Sequence, residues 1–537
     1  MKRATVLIFI IFFSQMANAQ QNNESFETLW KKVQKFENEG LTKSALGVAQ
    51  TISEKAKKEN NSPQTVKSLL FISKYALTLE EDAQLKIISD FKSEIASATS
   101  PTKNVLESYL ANLYWQYYQQ NRYQFYNRTE TEEKVDPTDF RTWDLNTLFY
   151  EIGSHFDASL ENSAVLQKTS VADFNEILNS QKGSANYRPT LFDLLAHTAL
   201  DFYKTDENSI TRPADKFEID TPEILCEGYQ FINQKISTVD KTSLQAKALK
   251  VFQDLLKFHS TNKTSDAYVT VDIERLQFIK NNATFDNKND FYLNILNNSA
   301  ESIKNHENWG LYQYEIAQLY HELGNTYQPK TNEEYRWKQK EAIELCDKIT
   351  SAFPKSDGAE KSKSLKAAIL SKSVDLTNED YISTNKPSRL LVNYKNVEGI
   401  ALTAYNLTQN QFTELQKLYP QDKKLAYIKK LVVAKKWNAT LKNEKDYQNH
   451  TTEVLIPELN NGYYLLVAQT DLLNENSFSY SPIQVTNLVL TETQTNTTHT
   501  FQVIDRNNGN PISDAKLNLN YRIDYDRNYL NKSFTTD

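Results

Sequence analysis

Apolar residues recur at helical spacing over the first two thirds of the chain. Leu69, Ile72, Ala76 and Leu79 make one stripe, Leu106, Leu110, Leu113 and Tyr117 a second, and Leu244, Ala248, Val251, Leu255 and Phe258 a third. Steps of three and four place such residues on one face of a helix and mark that face for burial. The pattern predicts helix almost throughout 24–373. Pairs of a capping residue and a proline punctuate it at Ser62-Pro63, Ser100-Pro101, Asp136-Pro137 and Thr221-Pro222, and these read as helix starts because proline tolerates the first turn and the hydroxyl or carboxylate accepts a free N–H.

Two stretches resemble tetratricopeptide helix pairs, in which small residues let antiparallel helices approach closely. One runs from Leu29-Trp30 through Glu39-Gly40 to Ala45 and Ala49. The other carries Ile316-Ala317-Gln318-Leu319-Tyr320, Leu323-Gly324, Tyr327, Ala342, Cys346 and Phe353-Pro354. The helices between them keep no strict repeat of ~34 residues, so residues 20–373 are predicted to form an irregular α-solenoid.

Near Val374 the period falls to two. Ile400-Ala401-Leu402-Thr403-Ala404, Val454-Leu455-Ile456, Phe501-Gln502-Val503 and Leu517-Asn518-Leu519-Asn520-Tyr521 alternate as half-buried antiparallel strands do. Asn460-Asn461-Gly462 and Asn507-Asn508-Gly509 supply turn positions tolerant of positive φ. Leu415, Leu418, Leu425, Ile428 and Leu431 return to helical spacing, which predicts a helical insertion over 411–436. The fold expected is therefore multidomain, α then β: the solenoid, an antiparallel β-sandwich over 374–480, and a second, incomplete sandwich over 481–537.

The N-terminus has the order of a secretory leader: Met1-Lys2-Arg3, an apolar run from Ala4 to Phe13, then Ser14 to Ala19 with small residues at its exit. Cleavage after Ala19 is expected. The run is about half of the ~20 residues a bilayer-spanning helix needs, and no cysteine follows to take a lipid. The mature chain is thus expected without a membrane span, exported to the periplasm, cell surface or medium of a bacterium. Removing Lys2 and Arg3 from 61 basic residues leaves 59 against 68 acidic ones, a formal charge of about −9 that disfavours nucleic acid as a partner. Aromatics at 12% supply apolar surface for packed cores despite a mean hydropathy of −0.62.

Candidate chemistry is sparse. His321-Glu322-Leu323-Gly324-Asn325 begins like a zinc-protease helix, but Asn325 stands where the second ligand is required. His155, His197, His259, His306, His450 and His499 show no ligand spacing, and His197, within Leu194 to Leu200, reads as a core histidine. With 11 glycines in all and neither a phosphate-cradling loop nor a Gly-x-Ser-x-Gly elbow, nucleotide and serine-hydrolase chemistry are disfavoured. Glu80-Glu81-Asp82 and Asp524 with Asp526 read as solvated faces. The aromatic run Leu113 to Tyr118, with Tyr123, Phe125 and Tyr126, has helical spacing and reads mainly as core, while sequons such as Asn127-Arg128-Thr129 and Asn496-Thr497-Thr498 follow from the asparagine content. Cys226 and Cys346 lie in helix-like segments, where they either pair in an oxidising compartment or, as the context favours, remain buried thiols. No catalytic, cofactor-binding or metal residue is assigned.

Several ordered motifs resemble one family. Asn385-Lys386-Pro387-Ser388-Arg389 enters Leu390 to Val397; His450-Thr451-Thr452-Glu453-Val454 leads to Ile456-Pro457; Gly462 to Ala468 follows; and Val485-Thr486-Asn487-Leu488 precedes Val503-Ile504-Asp505-Arg506-Asn507-Asn508-Gly509-Asn510-Pro511-Ile512-Ser513-Asp514-Ala515-Lys516-Leu517. Together these resemble the leading macroglobulin-like domains of the bacterial alpha-2-macroglobulin family, in the large form exported behind a helical region by Bacteroidetes-type bacteria. Tyr114 to Arg122, Arg141 to Leu145 and Arg188 to Asp193 fit the same group. The resemblance implies protease trapping or envelope surveillance, with proteases or envelope proteins as partners, and in some members a Cys-Gly-Glu-Gln-type thioester. Cys226 is followed by Glu227-Gly228 and Cys346 by Asp347-Lys348, so no thioester is placed in this chain. Phe534-Thr535-Thr536-Asp537 resembles a strand entering an Asp-x-x-Gly turn, from which these residues are expected to be the N-terminal portion of a longer protein or the product of a truncated gene, with 483–537 loosely ordered in isolation. The alternative expectation is an envelope solenoid that recognises glycan or protein.

Overall fold

The computed structural model describes residues 24–129, 131, 134–207, 215–470, 478–522 and 529–537. The expected leader at 1–19 and the pair Asp524 and Asp526 lie outside them. Helices come first and antiparallel or mixed β-sheets follow, in two units divided at Tyr312/Gln313. No described helix is long and apolar enough to cross a membrane.

In the first unit, α1 (Phe26–Asn38), α2 (Thr42–Lys58), α3 (Ser62–Leu79), α4 (Ala83–Ser97) and α5 (Thr102–Phe125) succeed one another across turns of a few residues. Two of these turns have the same chemistry. After α1, Gly40 takes φ 71°, and the N–H groups of Gly40 and Leu41 return to the carbonyls of Glu37 and Phe36; after α2, Asn60 takes φ 53° and Asn60 and Asn61 return to Lys57 and Ala56. A left-handed residue past the helix end closes the last carbonyls in this way. Asn61 then caps α3 by accepting from the Gln64 N–H, so the cap is Asn61 rather than the expected Ser62. Ala45, Ala49 and Ile52 of α2 close on Leu29 and Val33 of α1 and Tyr75 of α3.

The other expected starts fare differently. Helix α5 begins one residue after Pro101, without a side-chain cap, whereas Asp136-Pro137 and Thr221-Pro222 open no α-helix. They sit in 126–144 and 204–243, whose described residues hold only the 3-10 turns Phe140–Thr142 and Pro222–Ile224 and one short α-helical turn, Gly228–Phe231, in place of long helices. The expectation of helix almost throughout 24–373 is corrected there. Trp143, packed beneath α5, and the buried Ile219, Leu225 and Phe231 explain why these segments carry apolar residues without helical spacing. The unit continues with α6 (Leu145–Ser159), α7 (Leu191–Tyr203), α8 (Leu244–His259), α9 (Asp266–Asn282) and α10 (Lys288–Ser302). Its core is aromatic where α5, α6 and α7 meet: Trp115, Tyr118, Phe149 and Phe202 pack with centroids 5.0–5.8 Å apart, mostly edge to face, the arrangement ring quadrupoles favour.

Helix α11 (Trp309–Gly324) crosses the division, and α12 (Lys338–Ala352) and α13 (Asp357–Leu370) belong wholly to the second unit. Among the described residues twelve strands follow: β1 (Ser373–Thr377), β2 (Tyr381–Ile382), β3 (Ser388–Lys395), β4 (Gly399–Asn406), β5 (Val433–Thr440), β6 (His450–Ile456), β7 (Gly462–Gln469), β8 (Phe478–Val485), β9 (Leu488–Gln494), β10 (His499–Asp505), β11 (Lys516–Arg522) and β12 (Tyr529–Thr535). A sheet β1-β3-β6 and a sheet β2-β8-β7-β4-β5 bury one core between them, from Leu390, Val392 and Ile456 on one side to Leu402, Leu466 and Ile483 on the other. Only the short β2–β8 pairing among these is parallel. Strand β8 carries the larger sheet across residue 480 to Val485.

Helices α14 (Gln409–Gln416) and α15 (Gln421–Ile428) cover the opposite face of the larger sheet, where Leu415, Ile428 and Leu431 pack on Leu465 and Val467. This is the helical insertion, but it spans 409–428 rather than 411–436: residues 433–440 form β5, whose pairing with β4 outweighs helical spacing. Covered on both faces, β7 is buried continuously from Tyr464 to Ala468, which is why that stretch reads as an unbroken apolar run. The two expected turns also divide. Gly509 takes φ 73°, whereas none of Asn460, Asn461 and Gly462 enters the left-handed region. Beyond Val485, β9–β10 and β11–β12 form separate two-stranded sheets.

Candidate functional site

The last helices meet the first β domain at a charged joint. The loop between β5 and β6 is anchored by Leu441 and twice enters left-handed backbone at non-glycine residues, Lys445 (φ 59°) and Tyr447 (φ 60°). Such conformations persist where surrounding contacts over-determine them. Here the turns aim Glu444 and Asp446 at Arg336, on the approach to α12, and lay Tyr447 against Ala317, Ala342, Cys346, Leu365 and Ile369.

Arg336 Nε donates to Asp446 Oδ2 at 3.0 Å, its Nη2 pairs with Glu444, and its backbone carbonyl accepts from Gln448 Nε2 at 2.9 Å. Asp446, 1% exposed, also meets His450 Nε2 at 2.8 Å and accepts from the Gln448 N–H at 3.2 Å. Burial alone would raise the Asp446 pKa, but the hydrogen bonds from His450 and Arg336 outweigh it and hold the carboxyl below its ordinary range. A second tie lies nearby, where Asn396, at φ 56°, donates to the carbonyls of Ile369 (2.8 Å) and Ser371 (3.0 Å) and closes the end of α13. The joint fixes orientation; its ionisable groups are engaged with one another.

The remaining histidines are likewise held by polar partners. His155 Nδ1 lies 2.5 Å from Glu107 and its Nε2 3.6 Å from Glu151, which also binds Lys92 (2.9 Å) and Lys134 (2.8 Å). Burial opposes charge at both residues, yet the mutual bonds prevail: His155 titrates above its ordinary value and Glu151 well below. His197 and His259 converge on Asp193, the first at its carbonyl (2.8 Å), the second at its carboxylate (2.6 Å). Burial and then Arg188 push His197 down. His321 contacts Gln339 (2.8 Å) and Asn325 (3.3 Å), so the residue in the missing-ligand position is a hydrogen-bond partner. His306 Nδ1 accepts from the Asn308 N–H, and His499 pairs with Glu492. Glu80 and Asp82 form ion pairs with Lys86 and Arg141.

Sequence spacing missed the Arg336–Asp446, Glu107–His155 and Asp193–His259 pairs because their members lie 110, 48 and 66 residues apart. It also missed Arg275, fully buried on α9, which pairs with Asp272 (2.6 Å) and donates to the Cys226 carbonyl (2.9 Å) while Tyr312 donates to Asp272 (2.8 Å). An added Cβ at Gly228 would come 2.5 Å from the Tyr268 hydroxyl and 2.9 Å from Asp272 Oδ1, so a larger residue there would have to displace those side chains. Cys226 lies in a loop, not in the expected helix-like segment, whereas Cys346 is on α12. Both thiols are free and buried, and burial raises both, Cys346 to about 11. Of the aromatic run, Tyr114, Tyr118 and Phe125 are core, while Tyr123 points outward.

No family model and no curated protein matches the sequence. Among solved structures the chain is similar to two fragments of native alpha-2-macroglobulin from Escherichia coli, spanning domains MG0-NIE-MG1 and NIE-MG1. Each is 14% identical over 31% of this chain, with a TM-score of 0.22, and the matches span 58% and 84% of those fragments. A CARDB domain from Pyrococcus furiosus is 17% identical over 21% of this chain and 87% of its own length, with a TM-score of 0.14. TM-scores this low carry no weight for fold or role.

Proposed function

We propose that this chain is the helical platform and leading β-sandwich part of an exported alpha-2-macroglobulin-like protein, acting in protease inhibition or envelope surveillance as a scaffold rather than an enzyme. The order of the macroglobulin-like motifs between Asn385 and Leu517 supports the family. The observation that carries the scaffolding role is the joint at Arg336: buried charge and strained backbone are invested in fixing α12 and α13 to the sheets. A string of domains that must present a target-facing segment needs its modules held at set angles, and a hydrogen-bonded joint supplies that directionality. In this reading the helices are an irregular α-solenoid and the two sheets a sandwich.

The test is retention. The native protein, recovered from exporting cells and immobilised, is expected to begin at Gln20 and to retain endoproteases without covalent adducts at Cys226 or Cys346. Retention of glycans with no retention of any protease would overturn the reading in favour of a glycan-binding module.

A further inference from the structure

Between α5 and α7 lies a partly enclosed cavity of about 160 Å³. Val105 and Tyr109 form one wall and Leu191, Leu194 and Leu195 the other, and no charged side chain lines it. Its cover is Phe174, Ile177 and Leu178, from an irregular excursion spanning residues 169–190. The ends of that excursion are clipped together: Leu191 N–H bonds the Thr169 carbonyl (2.9 Å), Val171 N–H bonds Pro189 (3.1 Å), and Ser170 bridges Thr190. Beyond this base the segment is mostly exposed, with Gly183 turning its far end at φ 88°. Phe174 is its buried plug, and Glu176 ties it to α3 through Gln64 (2.7 Å) and Lys67 (3.1 Å).

We propose that this cavity binds a small uncharged apolar molecule, of aromatic or short branched-chain size, and that the 169–190 excursion is the strap that opens to admit it. A cavity of about 150 Å³ lined by leucine, isoleucine and phenylalanine stays dry and takes up benzene, which sets the size class. An ionised ligand would lose its hydration with no countercharge to meet it. Asn112 and Thr198 direct polar atoms to the carbonyls of Ser108 (3.0 Å) and Leu194 (2.8 Å), so the lining offers chiefly hydrocarbon. Phe174 as plug and the ties of Glu176 to Gln64 and Lys67 hold the part of the strap over the cavity, while residues 184–187 pack against α9 and the base stays clipped, so the stretch over the cavity is the part that opens locally.

The whole protein is titrated with benzene, with glucose as the polar control. Benzene is expected to shift the methyl resonances of Leu191, Leu194 and Leu195 and to protect residues 179–183 from a protease. At a hundred times its Kd it would lower the open population about a hundredfold. Leu195→Trp, which fills the space, should abolish both effects; if that variant fails to fold by circular dichroism, Thr198→Leu is used in its place. Glu176→Ala, which removes the Lys67 pair and the acceptor of the buried Gln64 amide, should speed cleavage about fivefold or more and leave benzene binding intact. Absence of methyl shifts at saturating benzene, equal shifts in the filled variant, or an equal response to glucose would overturn the proposal.

Discussion

Asp446→Ala removes the acceptor on which Arg336 Nε, His450 Nε2 and the Gln448 N–H converge, at a position only 1% exposed. Breaking a buried ion pair from one side costs about 3–5 kcal/mol, because the partner charge is left uncompensated. Arg336 is 30% exposed and keeps Glu444, so water and the remaining carboxylate compensate part of that loss. The expected cost is about 3 kcal/mol. Urea denaturation followed by fluorescence, with amide exchange in α12 and β6, reads it: the two elements should lose protection together. Glu444→Gln, at a more exposed carboxylate, should cost under about 1 kcal/mol. Because Asp446 titrates below its unfolded value, its contribution is complete above about pH 4 and fades as pH falls through the lower folded value. A loss below about 0.5 kcal/mol for Asp446→Ala, or loss of protection in only one of the two elements, would refute the view that this network joins them.

His155 gives the opposite pH dependence: its folded pKa is raised, so its contribution is complete below about pH 6.5 and declines as pH rises through the folded value. Thermal unfolding from pH 5 to 9 should show that decline, and His155→Gln should flatten it. In β7, Val467→Ala should cost roughly 1–3 kcal/mol because the insertion covers that face, whereas Leu455→Ala, at a 61% exposed site, should change chemical-denaturation stability by less than about 0.5 kcal/mol. Cys226 and Cys346, both buried and raised, should react with a thiol reagent at pH 8 only after denaturant is added; fast native labelling of either contradicts their placement.

Periodicity was legible where one face of an element is buried and one is wet. The stripes at Leu69 and Leu244 and the alternation of Ile400, Leu402 and Ala404 therefore reappear as buried faces. It misled where two patterns overlap: Leu431 continues the spacing of Leu425 and Ile428, but it packs beside the helices just before β5 begins. Capping was legible as chemistry and not as position, since Asn61 rather than Ser62 accepts the N–H of α3. The joint was not legible, because Arg336 and Asp446 are 110 residues apart. Left-handed Lys445 and Tyr447 have none of the glycine or asparagine signature that marks such turns. The Glu107–His155 and Asp193–His259 pairs were hidden for the same reason: each requires two helices to be placed before either partner has meaning.

The proposed role in a protease-restraining scaffold is tested most directly by protease activity on substrates of two sizes. The native protein is mixed with endoproteases, and cleavage of a folded protein substrate is compared with cleavage of a short peptide. The account expects protein cleavage to slow while peptide cleavage continues, because the restrained enzyme keeps its active site and loses access to large substrates. Unchanged cleavage of both, or equal inhibition of both, would contradict it.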